Sequence, residues 1–254
     1  MVHAEGDERA VWRLLAPGVF VAQVPSLKLN VTAVAGAEGF VLVDTGSYER
    51  ETRGLLAGLS DVLDEHGLPD RAVMVVNTHG HFDHCYGNAE VLRRHPEALV
   101  LGHEGLPRYL ARYGEEGRAD AVSYGMPAED MAAVRIVPPN RLLAVGGAHR
   151  VDLGGVEVQV YAPGRGHTGC DLVVRVPSAD VLIAGDLLEE SAPPSYGPDS
   201  FPAEWPATLA RVLRPPAGLI VPGHGAVVDH AFALRQMEYV EARRAAPPEA
   251  PPSQ

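Results

Sequence analysis

From its amino end the chain alternates short apolar runs with glycine-rich or polar breaks. Val19–Val24, Val31–Val34 and Phe40–Asp44 are apolar and rich in β-branched residues, the pattern of buried strands, and Asp44-Thr45-Gly46 closes the third. Over residues 48–66 the spacing changes. Leu55, Leu56, Leu59, Val62 and Leu63 recur at helical intervals, which predicts a helix whose leucines face the core. Ala72–Val76 reads as a strand running into a histidine-rich loop, Asn88–His95 as a helix and Ala98–Leu101 as a strand. Residues 104–134 predict helix broken by Pro107, Gly114, Gly117 and Pro127. Strands follow at Arg150–Leu153, Val156–Tyr161, Leu172–Val176 and Val181–Ala184. Helices at Trp205–Leu213 and His230–Arg243 then flank a strand at Leu219–Val221. Strands and helices thus come twice over. Two half-sheets, each covered by helices, would bury both faces of each sheet. The prediction is one domain over residues 18–244, after a lead-in at 1–17 and before a disordered Pro/Ala-rich tail at 245–254.

Composition narrows the functional classes. The formal net charge is −12, which argues against a nucleic-acid partner, and Lys28 is the only lysine. Two cysteines, Cys85 and Cys170, do not make a disulfide framework. The polar start MVHAEGDERA has no apolar leader region, and no run is long enough to span a bilayer, so a cytoplasmic protein without a membrane partner is expected.

The chemistry lies in Thr78-His79-Gly80-His81-Phe82-Asp83-His84, which puts three imidazoles and a carboxylate within six residues. Imidazole and carboxylate are metal-ligand types, and packing does not call for such a density after an apolar strand. Gly166-His167-Thr168, Gly185-Asp186 and Gly223-His224-Gly225 each set another ligand-type residue beside glycine after a strand. Loops at one sheet edge can therefore converge on one point. Cys85 and Cys170 read as small buried neighbours. His3, His66, His95, His103, His149 and His230 read as surface or packing histidines.

In these residues, and in this order along the chain, the sequence resembles the metallo-β-lactamase fold superfamily, over roughly residues 18–240. The resemblance implies an α/β fold, a four-layer αββα sandwich with metals at one edge of its two sheets. It also implies that His79, His81 and His167 hold one metal, that Asp83, His84 and His224 hold a second, and that Asp186 bridges them. Two Zn2+ are the implied cofactors, with iron or manganese acceptable to the same donors. Such a pair holds a bridging hydroxide that attacks a carbonyl, and Asp83 is the implied catalytic group that orients it and carries a proton to the leaving group. Asp44 is either a support for a ligand imidazole or a turn residue of Asp-Thr-Gly.

The segment Pro163-Gly164-Arg165-Gly166-His167-Thr168 with Asp171, and the later Trp205-Pro206, resemble zinc β-lactamases. Asp186, however, stands where that branch has a cysteine ligand, and Glu189, followed by Glu190, where it commonly has a lysine. The set then resembles the glyoxalase II and lactonase branch, and implies a hydrolase of a small-molecule ester, lactone, thioester or amide-type bond, with a true β-lactamase less favoured. The alternative is an iron-dependent oxidoreductase on the same fold. Pocket walls are expected from Pro25–Asn30, residues 104–140 and the loop 190–204, with Glu189, Tyr196 and Phe201 as lining residues.

Overall fold

A computed structural model describes residues 9–245; His3 and the tail from Ala246 onward lie outside the described residues. The first half runs β1 (Trp12–Ala16), β2 (Val19–Val24), β3 (Leu29–Gly36), β4 (Gly39–Val43), α1 (Glu49–Glu65), β5 (Ala72–Val76), α2 (Phe82–Cys85), α3 (Asn88–Arg94), β6 (Leu99–His103), α4 (Leu106–Ser123), α5 (Ala128–Ala133) and β7 (Arg141–Leu143). The second runs β8 (Ala148–Asp152), β9 (Glu157–Tyr161), β10 (Val173–Val176), β11 (Val181–Gly185), α6 (Trp205–Val212), β12 (Leu219–Pro222) and α7 (His230–Ala242).

Strands β1 to β7 pair in sequence order, antiparallel as far as β4 and parallel from β4 to β7. The second sheet is ordered β12-β11-β10-β9-β8, with β11 and β12 parallel and the other pairs antiparallel. Alternate residues of one strand serve different layers. Phe40 and Leu42 of β4 pack outward with Leu55, Leu59 and Leu63 of α1. Val41 and Val43 pack inward with Val158, Val160, Val174 and Ile183 of the second sheet. On the far side, Leu182 and Ile220 meet Trp205 and Leu209 of α6 and Val240 of α7. These are the four layers of an αββα sandwich. Both sheets are covered on both faces, which is why their strands read as continuous apolar runs.

Two parts of the chain depart from the sequence reading. Within the expected lead-in, Trp12–Ala16 form a strand, β1, which pairs with β2, and Trp12 Nε1 donates to Leu55 O at 2.9 Å. Of the breaks expected inside 104–134, the one at Pro127 is present, since that residue caps α5, but α4 runs unbroken through Gly114 and Gly117. Pro107 sits in its first turn, where the missing N–H has no helical partner to lose. The helix ends only at Tyr124-Gly125, where Gly125 takes φ +91°.

Leu59 is fully buried between α1 and the first sheet. Leu59→Ala should therefore destabilise the fold by about 2–5 kcal/mol, read as a lower denaturant midpoint at unchanged slope.

Candidate metal centre

All the ligand-type residues stand at one edge of the sandwich because strand direction puts them there. Asp44 follows β4 and His79 follows β5, at the carboxyl ends of neighbouring parallel strands. Asp186 follows β11 and His224 follows β12, again parallel neighbours. His167 precedes β10, which runs antiparallel to β11 and so begins at the same edge. The sheets are joined there. Asn30 N donates to Gly223 O at 2.7 Å, Asn30 Nδ2 to Pro222 O and Gly225 O at 2.9 Å each, and Leu172 N to Thr78 O at 2.7 Å. Two glycines permit this closeness. A Cβ on Gly185, itself at φ +53°, would lie 2.8 Å from Thr78 Cβ, and one on Gly223 would lie 1.8 Å from Asp186 Oδ1.

Two donor sets result. In the first, His81 Nδ1 lies 3.0 Å from His79 Nε2 and 3.1 Å from His167 Nε2, and Asp186 Oδ2 lies 3.8 and 3.4 Å from those two Nε2 atoms. In the second, His224 Nε2 is 3.3 Å from both His84 Nε2 and Asp83 Oδ2, and His84 Nε2 is 3.2 Å from Asp186 Oδ1. Asp186 Oδ2 also lies 3.4 Å from His224 Nε2, so this one carboxylate belongs to both sets. Donors about 2.1 Å from a tetrahedral metal lie about 3.4 Å from one another, and the observed separations bracket that value.

The outer hydrogen bonds decide which ring nitrogen faces inward. His84 Nδ1 donates to Asp44 Oδ2 at 2.8 Å, His224 Nδ1 to Leu27 O at 3.0 Å and His81 Nε2 to Asp199 Oδ2 at 3.1 Å. Thr78 Oγ1 donates to Asp44 Oδ2 at 2.8 Å and so accepts from His79 Nδ1 at 3.1 Å. Four imidazoles are thereby left with a lone pair pointing into the cluster. Lone pairs held 3.0 Å apart repel unless a cation sits among them, so the donor set fits a metal. Asp44 is the hub. It also accepts from Thr78 N at 2.8 Å, and it takes a left-handed φ of +64° that costs an L-residue roughly 1 kcal/mol.

Without metal, protons take the place of the cation. Burial pulls His84 and His224 down, but the carboxylates of Asp186 and Asp83 outweigh it; His84 rises well above the ordinary histidine value and His224 to about 12. Burial also lowers His167, to about 4, and holds His79 well below its ordinary value. Asp83 and Asp186 are buried too, yet the imidazoles around them keep both below the usual carboxylate range. Burial thus disfavours the proton on His79 and His167, while neighbouring carboxylates favour it on His84 and His224 and, through Asp199, on His81.

Residues 27–224 match the model of the metallo-β-lactamase superfamily. The chain belongs to that superfamily. It is 25% identical over 236 residues to a metallo-β-lactamase type 2 of Bacillus cereus, a match spanning 91% of this chain and 79% of that protein. A shorter match to the Bacteroides fragilis metallo-β-lactamase type 2 is 37% identical over 79 residues, 30% of this chain and 32% of that protein. Among solved structures, the FIM-1 metallo-β-lactamase of Pseudomonas aeruginosa in its mono-zinc form superposes with a TM-score of 0.72 at 18% identity, over 94% of this chain and 97% of the other. A metallo-β-lactamase of Pontibacter korlensis gives 0.69 at 21% identity, over 92% and 99%. These likenesses show the same fold.

For a superfamily member the surroundings of the cluster differ in several places from the sequence reading. Glu189 does face the cluster, with its carboxylate near Asp186 and His224. Glu190 does not reinforce it, since its Oε2 accepts from Ala226 N at 2.8 Å. Tyr196 is not a pocket wall: it is 3% exposed and packs on Trp205 inside the layer under α6, drawn there because an aromatic ring gains more by burial than at a rim. Phe201 packs outside the His167 loop, where its N donates to Gly166 O and the Arg165 guanidinium lies 4.3 Å from its ring centre. Asp44 hydrogen-bonds the His84 ring at 2.8 Å. Cys85 and Cys170 are buried and outside the donor sets.

Other contributors were given no role at the site by the sequence reading, although Asp171 was part of the segment that resembles zinc β-lactamases. Asp199 accepts from His81 and from Tyr109 Oη at 2.9 Å, and the His81 contact, outweighing burial, holds it well below its ordinary value. Asp171 accepts from Thr168 N at 3.0 Å and Thr168 Oγ1 at 2.6 Å and so closes the loop that carries His167. The pairing of Asn77 with Asn88, 2.8 and 2.9 Å, folds the segment after β5 back on itself. Asp171 had a local signal, its three-residue spacing from Thr168. Asp199 had none, since its partners lie 118 and 90 residues away.

Asp44→Asn should weaken metal binding about 10–100-fold, because an amide has one acceptor oxygen where Thr78 N, Thr78 Oγ1 and the His84 ring now share two; chelator competition would measure it. Metal displaces the protons on His84 and His224, so uptake near pH 7 should release protons and affinity should rise with pH. Calorimetry in buffers of different ionisation enthalpy reads this directly, and metal uptake without proton release would contradict it.

Proposed function

We propose that the chain is a hydrolase with two zinc ions that opens an ester, lactone, thioester or amide-type carbonyl bond of a small molecule. Superfamily membership supports metal-dependent hydrolysis as the coarse activity. The observation that carries the finer reading is the pair of donor sets sharing Asp186, with lone pairs turned inward by buried acceptors. A metal pair, when bound, supplies Lewis acidity toward a carbonyl oxygen and a water activated at neutral pH. His79, His81 and His167 would hold one ion, Asp83, His84 and His224 the other, and Asp186 both.

The chain's own residues do the rest. Asp83 is kept ionised by His84 and His224, so its carboxylate can take up a proton and deliver it to a leaving group. Asp44 holds His84, and Asp199, itself held by Tyr109, holds His81. The substrate's way in is over His81 and Asp199, whose side chains are 28% and 22% exposed while those of the other donors are 11% or less. Glu189, rather than a cation, stands at the second donor set, which offers no grip to a substrate carboxylate and favours uncharged esters, lactones and thioesters.

The relatives' names favour a second reading, β-lactam hydrolysis. A screen of lactones, thioesters and β-lactams on purified protein, with metal quantification, separates the two. About two zincs per chain in a colourless protein, with turnover of a lactone or thioester well above that of any β-lactam, is the expected result. A coloured iron protein, or β-lactams as the best substrates, would overturn it. Asp83→Asn should leave the metal-free fold unchanged and lower turnover by about 100-fold or more; wild-type turnover would remove Asp83 from the proton path.

A further inference from the structure

We propose that Glu189 is a direct ligand of the second metal position, which gives that position five protein donors: Asp83, His84, His224, Asp186 and Glu189. The proposal rests on the two-metal reading above and adds a donor to it.

Glu189 is 8% exposed, and its carboxylate lies with those of Asp186 and the ring of His224 in one group whose donor atoms are all within 4.8 Å of one another. Its backbone leaves the side chain little choice of direction. Glu189 N donates to Gln236 Oε1 at 3.0 Å and Gln236 Nε2 donates back to Glu189 O at 2.7 Å, so α7 holds the residue from behind on both sides. The neighbours are anchored as well. Gly223 N donates to Leu188 O at 3.1 Å, and Glu190 N donates to His224 O at 3.0 Å. The two strand-end loops that carry Asp186 and His224 are thereby tied together at Glu189, and its side chain projects between them.

Charge then calls for a cation. The ligand-type groups beside the Glu189 carboxylate are the Asp186 carboxylate and the His224 ring. Two carboxylates buried this close favour a shared cation between them. A divalent ion held by Asp186 and His224 would lie within reach of Glu189 and would relieve both carboxylates at once. Three carboxylates and two imidazoles exceed the four donors usual for zinc and suit a metal that accepts five or six, such as manganese or iron, better than a four-donor set would. The second position should therefore be less selective for zinc than the first.

The test uses the full chain stripped of metal and titrated with Zn2+ against a chromophoric chelator, comparing wild type, Glu189→Gln and Glu189→Asp. Glutamine keeps the length and the backbone bonds to Gln236 but is a poor ligand; aspartate keeps the charge but withdraws the donor by one methylene. Both variants should keep the first binding step and weaken the second by at least about tenfold. With Co2+ as the probe, both should also change the visible d–d spectrum of the second equivalent, a signature that a carboxylate acting at a distance does not move. Wild-type affinity in Glu189→Gln overturns the proposal. So does a weakened Glu189→Gln beside a wild-type Glu189→Asp, since that pattern marks a field effect. A wild-type chain that binds fewer than two metals refutes the two-metal reading itself, whatever the variants do.

Discussion

The rest of this molecule is organised around a crowded, buried cluster of ligand-type groups. The rings of His79, His81, His84, His167 and His224 converge at nitrogen separations of 3.0–3.3 Å, with Asp83 and Asp186 buried among them. The carboxylates attract His84 and His224, but the imidazoles crowd and repel one another. The cluster stays closed because each outer ring nitrogen but one is tied to an acceptor fixed in the scaffold, and those acceptors sit on backbone that the sheets hold rigid. A cation held by these donors would be coupled to folding, because only the folded chain brings them together.

Asp44 shows how the scaffold supports the load. Its left-handed backbone turns the chain at the end of β4 so that both carboxylate oxygens face the next strand end, one for Thr78 N and the other for Thr78 Oγ1 and His84. The strain is small beside the three hydrogen bonds it makes possible. The second sheet does the same at Gly185 and Gly223, where the absence of a side chain lets Asp186 lie against both the first sheet and the His224 loop. Asn30 then joins the two halves, satisfying carbonyls of the Pro222–Gly225 turn that the sandwich edge would otherwise bury unpaired.

Much of this was legible in the sequence because it is local. Strands covered on both faces read as apolar runs, and α1 reads from its leucine spacing, so β2, β5 and α1 fall where the pattern puts them within a residue or two. The run from His79 to His84 is legible for the same reason: four donors in six residues have no packing explanation. β1 was missed because Leu14 and Leu15 lie at an edge and do not alternate cleanly with the buried Trp12, and the breaks expected inside α4 failed because glycine and a first-turn proline are tolerated where a helix is well packed.

By itself the sequence determined which residue types meet at the centre, since ligand chemistry is a property of side chains and their order survives in the chain. It also determined the layered architecture, because burial on both faces of a sheet is written in hydrophobicity. Only the tertiary structure decided which of two adjacent glutamates enters the centre, that Tyr196 belongs to the core, and that Asp199 and Tyr109 support His81. In the irregular segment after β11 no periodicity sets side-chain direction, and which glutamate faces the cluster depends on contacts such as Gln236 with Glu189 and Ala226 with Glu190, made by residues dozens of positions away.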